Sequence, residues 1–123
     1  MAQQVLHAQE FHAYVWGENF TGRLGLGDAV AKNKKVKNPK KINVGNILWA
    51  QIVCGDFHTI ALSWNGEVFT WGNGGLGRLG HGDLNNRNVP TKVQNLSKEK
   101  IVKVACGKYH SAALSSTGKL FTW

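Results

Sequence analysis

The sequence predicts an all-β repeat protein, a partial β-propeller made of four-stranded antiparallel blades. Three recurrences carry that expectation. Val53-Cys54-Gly55-Asp56-Phe57-His58-Thr59-Ile60-Ala61-Leu62 returns as Ala105-Cys106-Gly107-Lys108-Tyr109-His110-Ser111-Ala112-Ala113-Leu114, and Gly66 to Trp71 returns as Gly118 to Trp123, both at an offset of 52. Trp16-Gly17 followed by Gly22-Arg23-Leu24-Gly25-Leu26-Gly27-Asp28 returns as Trp71-Gly72 followed by Gly77-Arg78-Leu79-Gly80-His81-Gly82-Asp83, at an offset of 55. Pro39 and Pro90 lie 51 apart. Periods near 50 that alternate Gly-rich turns with aromatic strands are the pattern of propeller blades.

Each element of a blade has its own local reason. Ile47 to Val53 and Ile101 to Ala105 are rich in β-branched residues and read as first strands. Each runs into Cys-Gly and then a short apolar His-Ser/Thr-x-Ala-Leu strand. Trp64-Asn65-Gly66 and Ser116-Thr117-Gly118 supply the positive-φ position that a two-residue hairpin needs. The third strand is Glu67 to Trp71 or Lys119 to Trp123, followed by a long Gly-rich loop. The fourth strand begins near Pro90, or Pro39 in the earlier copy, because proline opening an edge strand forfeits no ladder bond. The resulting partition is an N-terminal segment 1–10, the second half of a blade over 11–46, a complete blade over 47–93 and three strands of the next over 94–123.

The chain has 123 residues, room for one domain, and a net charge of +8. Six of those charges come from Lys32, Lys34, Lys35, Lys37, Lys40 and Lys41, in ten residues without an acid, which leaves +2 for the rest. Asp28 to Pro39 spans 11 positions against 7 for Asp83 to Pro90, so the basic segment lies where the first repeat is four residues longer. A basic loop of this kind suits an acidic partner: a GTPase or tubulin-like surface, an acidic chromatin patch or nucleic acid. The alternative is a solvated loop that keeps the chain soluble. The N-terminus has neither a basic lead nor an apolar core, and no apolar run approaches the roughly 18 residues of a membrane span, so an intracellular site (cytoplasm, nucleus or cilium) and no membrane partner are expected.

Cys54, Cys106, His58 and His110 invite a zinc reading, yet Cys-x3-His occurs once per repeat, whereas zinc fingers gather their ligands within a few tens of residues. The structural reading has each histidine buried and bonded to a backbone carbonyl of the neighbouring segment, with each cysteine packed as a small hydrophobe, free of a disulfide. Neither a metal nor a cofactor is expected. Gly72-Asn73-Gly74-Gly75-Leu76-Gly77 mimics a dinucleotide fingerprint, but the glycines that follow cannot open the helix it requires. Asp28 and Asp83 each end a Gly-x-Gly run, where capping a turn is the expected use. No catalytic constellation stands out. Trp16, Trp71 and Trp123 are repeat-equivalent and expected between blades, whereas Trp49 and Trp64 are not repeated and one of them is a candidate contact.

Cys-Gly-x-x-His-[Ser/Thr], Gly-x-φ-Phe-Thr-Trp-Gly, Arg-Leu-Gly-x-Gly-Asp and then Pro, in order, closely resemble the regulator of chromosome condensation repeat over residues 11 to 123. The resemblance implies a slice, about two repeats long, of a seven-bladed ring. It also implies a non-enzymatic protein–protein interaction module. Two other roles known in the family are guanine-nucleotide exchange on a Ran-like small GTPase with chromatin binding, and a structural part in a cilium or ubiquitin ligase. Exchange in the namesake depends on a protruding hairpin in one blade, and no such insertion falls between Trp16 and Trp123. A light-sensing use of the fold would need tryptophan where Phe57 stands. Since two repeats leave open edges at both ends, the slice is expected to belong to a longer chain or to dock on other subunits that supply the missing blades. Cys54, Gly55, His58, Trp71, Cys106, Gly107, His110 and Trp123 carry the repeat structurally, and the six lysines are the candidate partner contact.

Overall fold

The computed structural model describes residues 12–31, 34–42 and 44–123. It is all-β, with three antiparallel sheets in chain order. The first pairs β1 (Tyr14–Glu18) with β2 (Lys35–Lys41). The second has four consecutive strands, β3 (Trp49–Cys54), β4 (His58–Ser63), β5 (Val68–Gly72) and β6 (Arg87–Lys92). The third orders β7 (Ile101–Cys106), β8 (Ser111–Ser115) and β9 (Leu120–Thr122).

The middle sheet is packed on both faces, which explains why its two central strands read as nearly continuous apolar runs: every residue of β4 and β5 is buried. Along β4 the pleat sends alternate side chains to opposite cores. Ile60 and Leu62 join Val68, Val93, Ile101, Val104 and Ala113 between the second and third sheets. Ala61 joins Ala13, Ile42, Trp49, Phe69 and Trp71 between the first and second. Trp49 sits edge-on to Phe69 at 5.3 Å and tilted against Trp71 at 6.0 Å. The non-repeated tryptophan left at the surface is Trp64.

Two local expectations are corrected. The β4–β5 and β8–β9 hairpins close through three residues rather than two. Ser63 N–H donates to Glu67 O, Gly66 N–H donates to Ser63 O, and the positive φ falls on Gly66 (88°), as it does on Gly118 (89°). A repeated serine, unremarked in the sequence, holds each loop: Ser63 Oγ accepts from Glu67 N–H and Ser115 Oγ from Lys119 N–H, both at 3.0 Å. The prolines do not open their strands. Between Val15↔Lys40 and Gly17↔Val36, and again between Thr70↔Thr91 and Gly72↔Arg87, the outer strand carries two residues more than its partner. Pro39 and Pro90 lie inside that bulge, where proline withdraws no ladder donor.

Trp71 and Trp123 fill the same place against successive sheets. A Cβ on Gly25 would lie 2.7 Å from Trp71 Nε1, and one on Gly80 would lie 2.7 Å from Trp123 Nε1. The glycine of each Arg-Leu-Gly turn is therefore the floor under the tryptophan of the next repeat. Gly25 also stands at φ 73°, so Gly25→Ala combines overlap with a left-handed backbone and should cost about 2 kcal/mol in denaturant melts. Trp16 departs from the expected packing. It is 59% exposed, because no Arg-Leu-Gly turn precedes it among the described residues.

Candidate interaction surface

The repeat residues converge on a seam between consecutive sheets, with the first strands of the two sheets, β3 and β7, side by side. Val104 N–H donates to Gln51 Oε1 at 3.0 Å, and Cys106 Sγ lies 3.7 Å from Val53 O. Gly55 admits this approach, since a Cβ there would meet Gly107 O at 2.7 Å. Arg23 and Arg78 brace the turn that follows. Arg23 Nη1 donates to Asp56 O at 2.8 Å, and Arg78 Nη1 donates to Lys108 O at 3.0 Å. Thr59 and Ser111 answer by donating their hydroxyls to the carbonyls of the same arginines, at 3.0 and 2.7 Å. Phe20, Arg23, Phe57, Arg78 and Tyr109 thereby alternate ring and guanidinium at 5.2–5.9 Å.

His58 is 1% exposed and its Nε2 lies 2.9 Å from Ser111 Oγ. Because that hydroxyl's hydrogen goes to the Arg78 carbonyl, Nε2 must be the donor and His58 is the Nε2–H tautomer. Burial and the Arg78 guanidinium push the imidazole down to about 4, so it is neutral at physiological pH. The histidine thus meets a neighbouring hydroxyl as well as the expected backbone of the next repeat, at His110. His110 itself is a correction: it is exposed, because no further sheet supplies a Ser111 equivalent among the described residues.

The cysteines are free and unequal. Cys54 is exposed rather than packed, whereas burial pushes the half-buried Cys106 thiol up to about 11. Among the described residues no three His, Cys, Asp or Glu side chains gather as metal ligands. Gly75–Gly77 is one 3-10 turn rather than the opening of a helix. The two repeated acids serve differently. Asp83 caps its own turn at Asn85 N–H and holds Arg87 through both oxygens, which draws its carboxyl down to about 2. Asp28 instead accepts from Asn88 of the next repeat at 2.7 Å.

Of the six candidate lysines, Lys32 lies outside the described residues. Lys34, Lys35, Lys37, Lys40 and Lys41 are all exposed, but the strand expected to begin near Pro39 already begins at Lys35, so Lys35 and Lys37 belong to it rather than to a loop. β2 is an edge strand of its two-stranded sheet, anchored by Val36, which is buried. The four extra residues fall between Asp28 and Lys35, and the side chain of buried Asn19 holds that segment, with Nδ2 3.1 Å from Ala31 O and Oδ1 accepting from Leu24 N–H. In the shorter copy Gly74 replaces Asn19, because a Cβ there would overlap Asn85 O.

The profile of the regulator of chromosome condensation (RCC1) repeat matches residues 12–62 and again 65–114. The chain belongs to the RCC1 repeat family. A second profile of the same repeat matches residues 49–78. Among curated relatives, the RCC1 domain-containing protein RUG3, mitochondrial, of Arabidopsis thaliana is 36% identical over 94% of this chain. The human E3 ubiquitin-protein ligase HERC2 is 38% identical over 93%. The chain spans 25% of the length of the first and 2% of the second. Among solved structures, human WBSCR16 superposes with a TM-score of 0.79 at 26% identity, over 93% of this chain and 28% of that one. Prp20p of Saccharomyces cerevisiae, described together with its binding properties to Gsp1p and histones, superposes with a TM-score of 0.78 at 26% identity, over 89% and 28%. RCC1-repeat sheets of this kind are parts of a β-propeller, and no helix among the described residues is long and apolar enough to cross a membrane.

Proposed function

We propose that the chain is a non-enzymatic protein-interaction module of an RCC1-type propeller, working inside the cell, and that it meets an acidic protein partner along β2. The observation that carries this reading is the row of exposed lysines, Lys35, Lys37, Lys40 and Lys41 on an edge strand, with Lys34 just before it. Other chains or further blades would pack on the first and third sheets. The seam residues are assigned to the scaffold and the lysines to the partner. Exposed cations of one sign steer an acidic partner and contribute a salt-sensitive share of its binding. Changing Lys37, Lys40 and Lys41 to Glu should weaken capture of an acidic partner at least tenfold and flatten its dependence on ionic strength. An unchanged salt slope would make the row a solubility device.

Guanine-nucleotide exchange on a Ran-like GTPase, with chromatin binding, is the second reading, supported by the likeness to Prp20p and its stated binding to Gsp1p and histones. Stimulated release of labelled GDP from a small GTPase would favour it. The likeness to HERC ligases supports an accessory role within a large assembly such as a ubiquitin ligase. Recovery of ligase subunits or of tubulin and ciliary proteins in a pull-down would favour that role.

A further inference from the structure

The two repeats depart from one another most at a single place, and that place is a cleft. It has a volume of about 300 Å³ and is lined by Glu18, Phe20, Arg23, Lys34, Lys35 and Phe57, with Asn19 at its base. Arg23 and Phe57 have counterparts in Arg78 and Tyr109 and belong to the seam. The other walls have none. Phe20, 57% exposed, stands where the second repeat has Gly75, and the lengthened segment ending at Lys34 stands where the second repeat brings Asn85 O against Gly74. Divergence from a repeat that otherwise keeps its seam contacts concentrates an apolar wall and two additional cations at one opening.

From this juxtaposition of two phenylalanine rings, Arg23, Lys34 and Lys35 at the start of β2, we infer that the cleft binds an acidic peptide segment of the partner. An aromatic or large aliphatic side chain of that segment packs on the exposed Phe20 ring, beside the Arg23 guanidinium that already fills the space towards Phe57, and its carboxylates follow the lysines outward. The charge on the page selects this occupant: three cations face one carboxylate, Glu18. Two of the Arg23 nitrogens already bond backbone carbonyls, of Phe20 at 3.0 Å and Asp56 at 2.8 Å. The guanidinium is therefore fixed before a ligand arrives, which lowers the ordering cost of binding. A seven-residue strand is about 20 Å long, so Lys35 to Lys41 accompany roughly six residues of an extended peptide. A nucleic acid strand is the less suitable occupant, because its regular phosphates would bring a charge against Glu18, whereas a peptide places a neutral residue or an amide N–H there.

The inference rests on the reading of β2 as the partner-facing edge, and the test separates the two. Residues 1–123 are titrated, by fluorescence anisotropy at low salt, against a labelled Glu/Asp-rich octapeptide with one central phenylalanine. The same peptide with alanine at the centre and an oligodeoxythymidine of equal charge are the comparators. The phenylalanine peptide should bind at least tenfold more tightly than the alanine peptide. That preference should vanish in Phe20→Ala, survive in Phe20→Leu, and persist in Lys37→Glu/Lys40→Glu while both peptides weaken together. Phe20 is exposed, so an unchanged thermal melt of Phe20→Ala is the control for folding. Equal binding of the two peptides, or a preference that survives Phe20→Ala, overturns the cleft and leaves the lysine edge standing. Failure of both peptides to bind overturns both. Tighter binding of the oligonucleotide overturns the choice of occupant.

Discussion

Ser111→Ala should destabilise the chain by about 4 kcal/mol, read as a lower denaturation midpoint at unchanged slope. One hydroxyl serves two buried partners: it donates to the Arg78 carbonyl at 2.7 Å and accepts from His58 Nε2 at 2.9 Å. Alanine leaves both without it in a place water does not reach, at roughly 2 kcal/mol for each. Ser111 itself is fully buried, so solvent offers no substitute. Ser111→Thr retains the hydroxyl, in the form the previous repeat already uses at Thr59, and should stay within about 1 kcal/mol of the parent. A loss equal in the two variants would show that packing at this position, and not the shared hydroxyl, holds the seam.

Stability should also fall by about 3 kcal/mol between pH 6.5 and pH 4, through His58. In the unfolded chain the imidazole titrates near 6.5, whereas in the seam it is held down to about 4 by burial first and by Arg78 second. Below 6.5 the unfolded state therefore binds the extra proton. The stabilisation from a neutral His58 is complete above pH 6.5 and is lost progressively as pH falls towards 4. His81 contributes in the same direction, its imidazole being lowered mainly by burial beside Thr70. Asp83 and Glu67, lowered by hydrogen bonds from Arg87 and Lys92, begin to matter only as the pH falls into the ordinary carboxylate range, where the unfolded chain takes up their protons first. Equilibrium unfolding at pH 7, 6 and 5 separates these groups. His58→Gln should flatten the slope over that interval, and a slope unaltered in the variant would assign the acid sensitivity elsewhere.

The sheet architecture was legible because its signals are local and doubled. Cys-Gly ends one strand, Asn65-Gly66 and Thr117-Gly118 turn the next, and each pattern appears twice with few residues between. The seam was only half legible. His58 and Ser111 lie 53 residues apart, and adjacency in the His110-Ser111 pair conceals that the Ser111 hydroxyl meets the histidine of the preceding repeat. His110 looked equivalent to His58 because the residues around it are equivalent. Its exposure is decided by whether another sheet covers it, which no local window contains. The basic segment misled for a different reason. Lysine, asparagine and proline have poor strand propensity, yet Glu18↔Lys35 and Tyr14↔Lys41 pair along β1, and the buried Val36 fixes the register. The cleft was invisible as a motif, although the exchange of Asn19-Phe20 for Gly74-Gly75 at the same repeat positions was its signal.

The arginine contacts across the seam always join the Arg-Leu-Gly turn of one repeat to the His-Ser/Thr turn of the next, never the reverse. Such an interface is heterologous, with different patches on its two sides, so it has no two-fold solution in which a patch meets itself. Copies that associate through it add head to tail, and they terminate only where the rotation per repeat closes a ring. Polarity of this kind separates two classes of association by symmetry alone: contact through the seam propagates, whereas a discrete two-fold dimer must use some other surface.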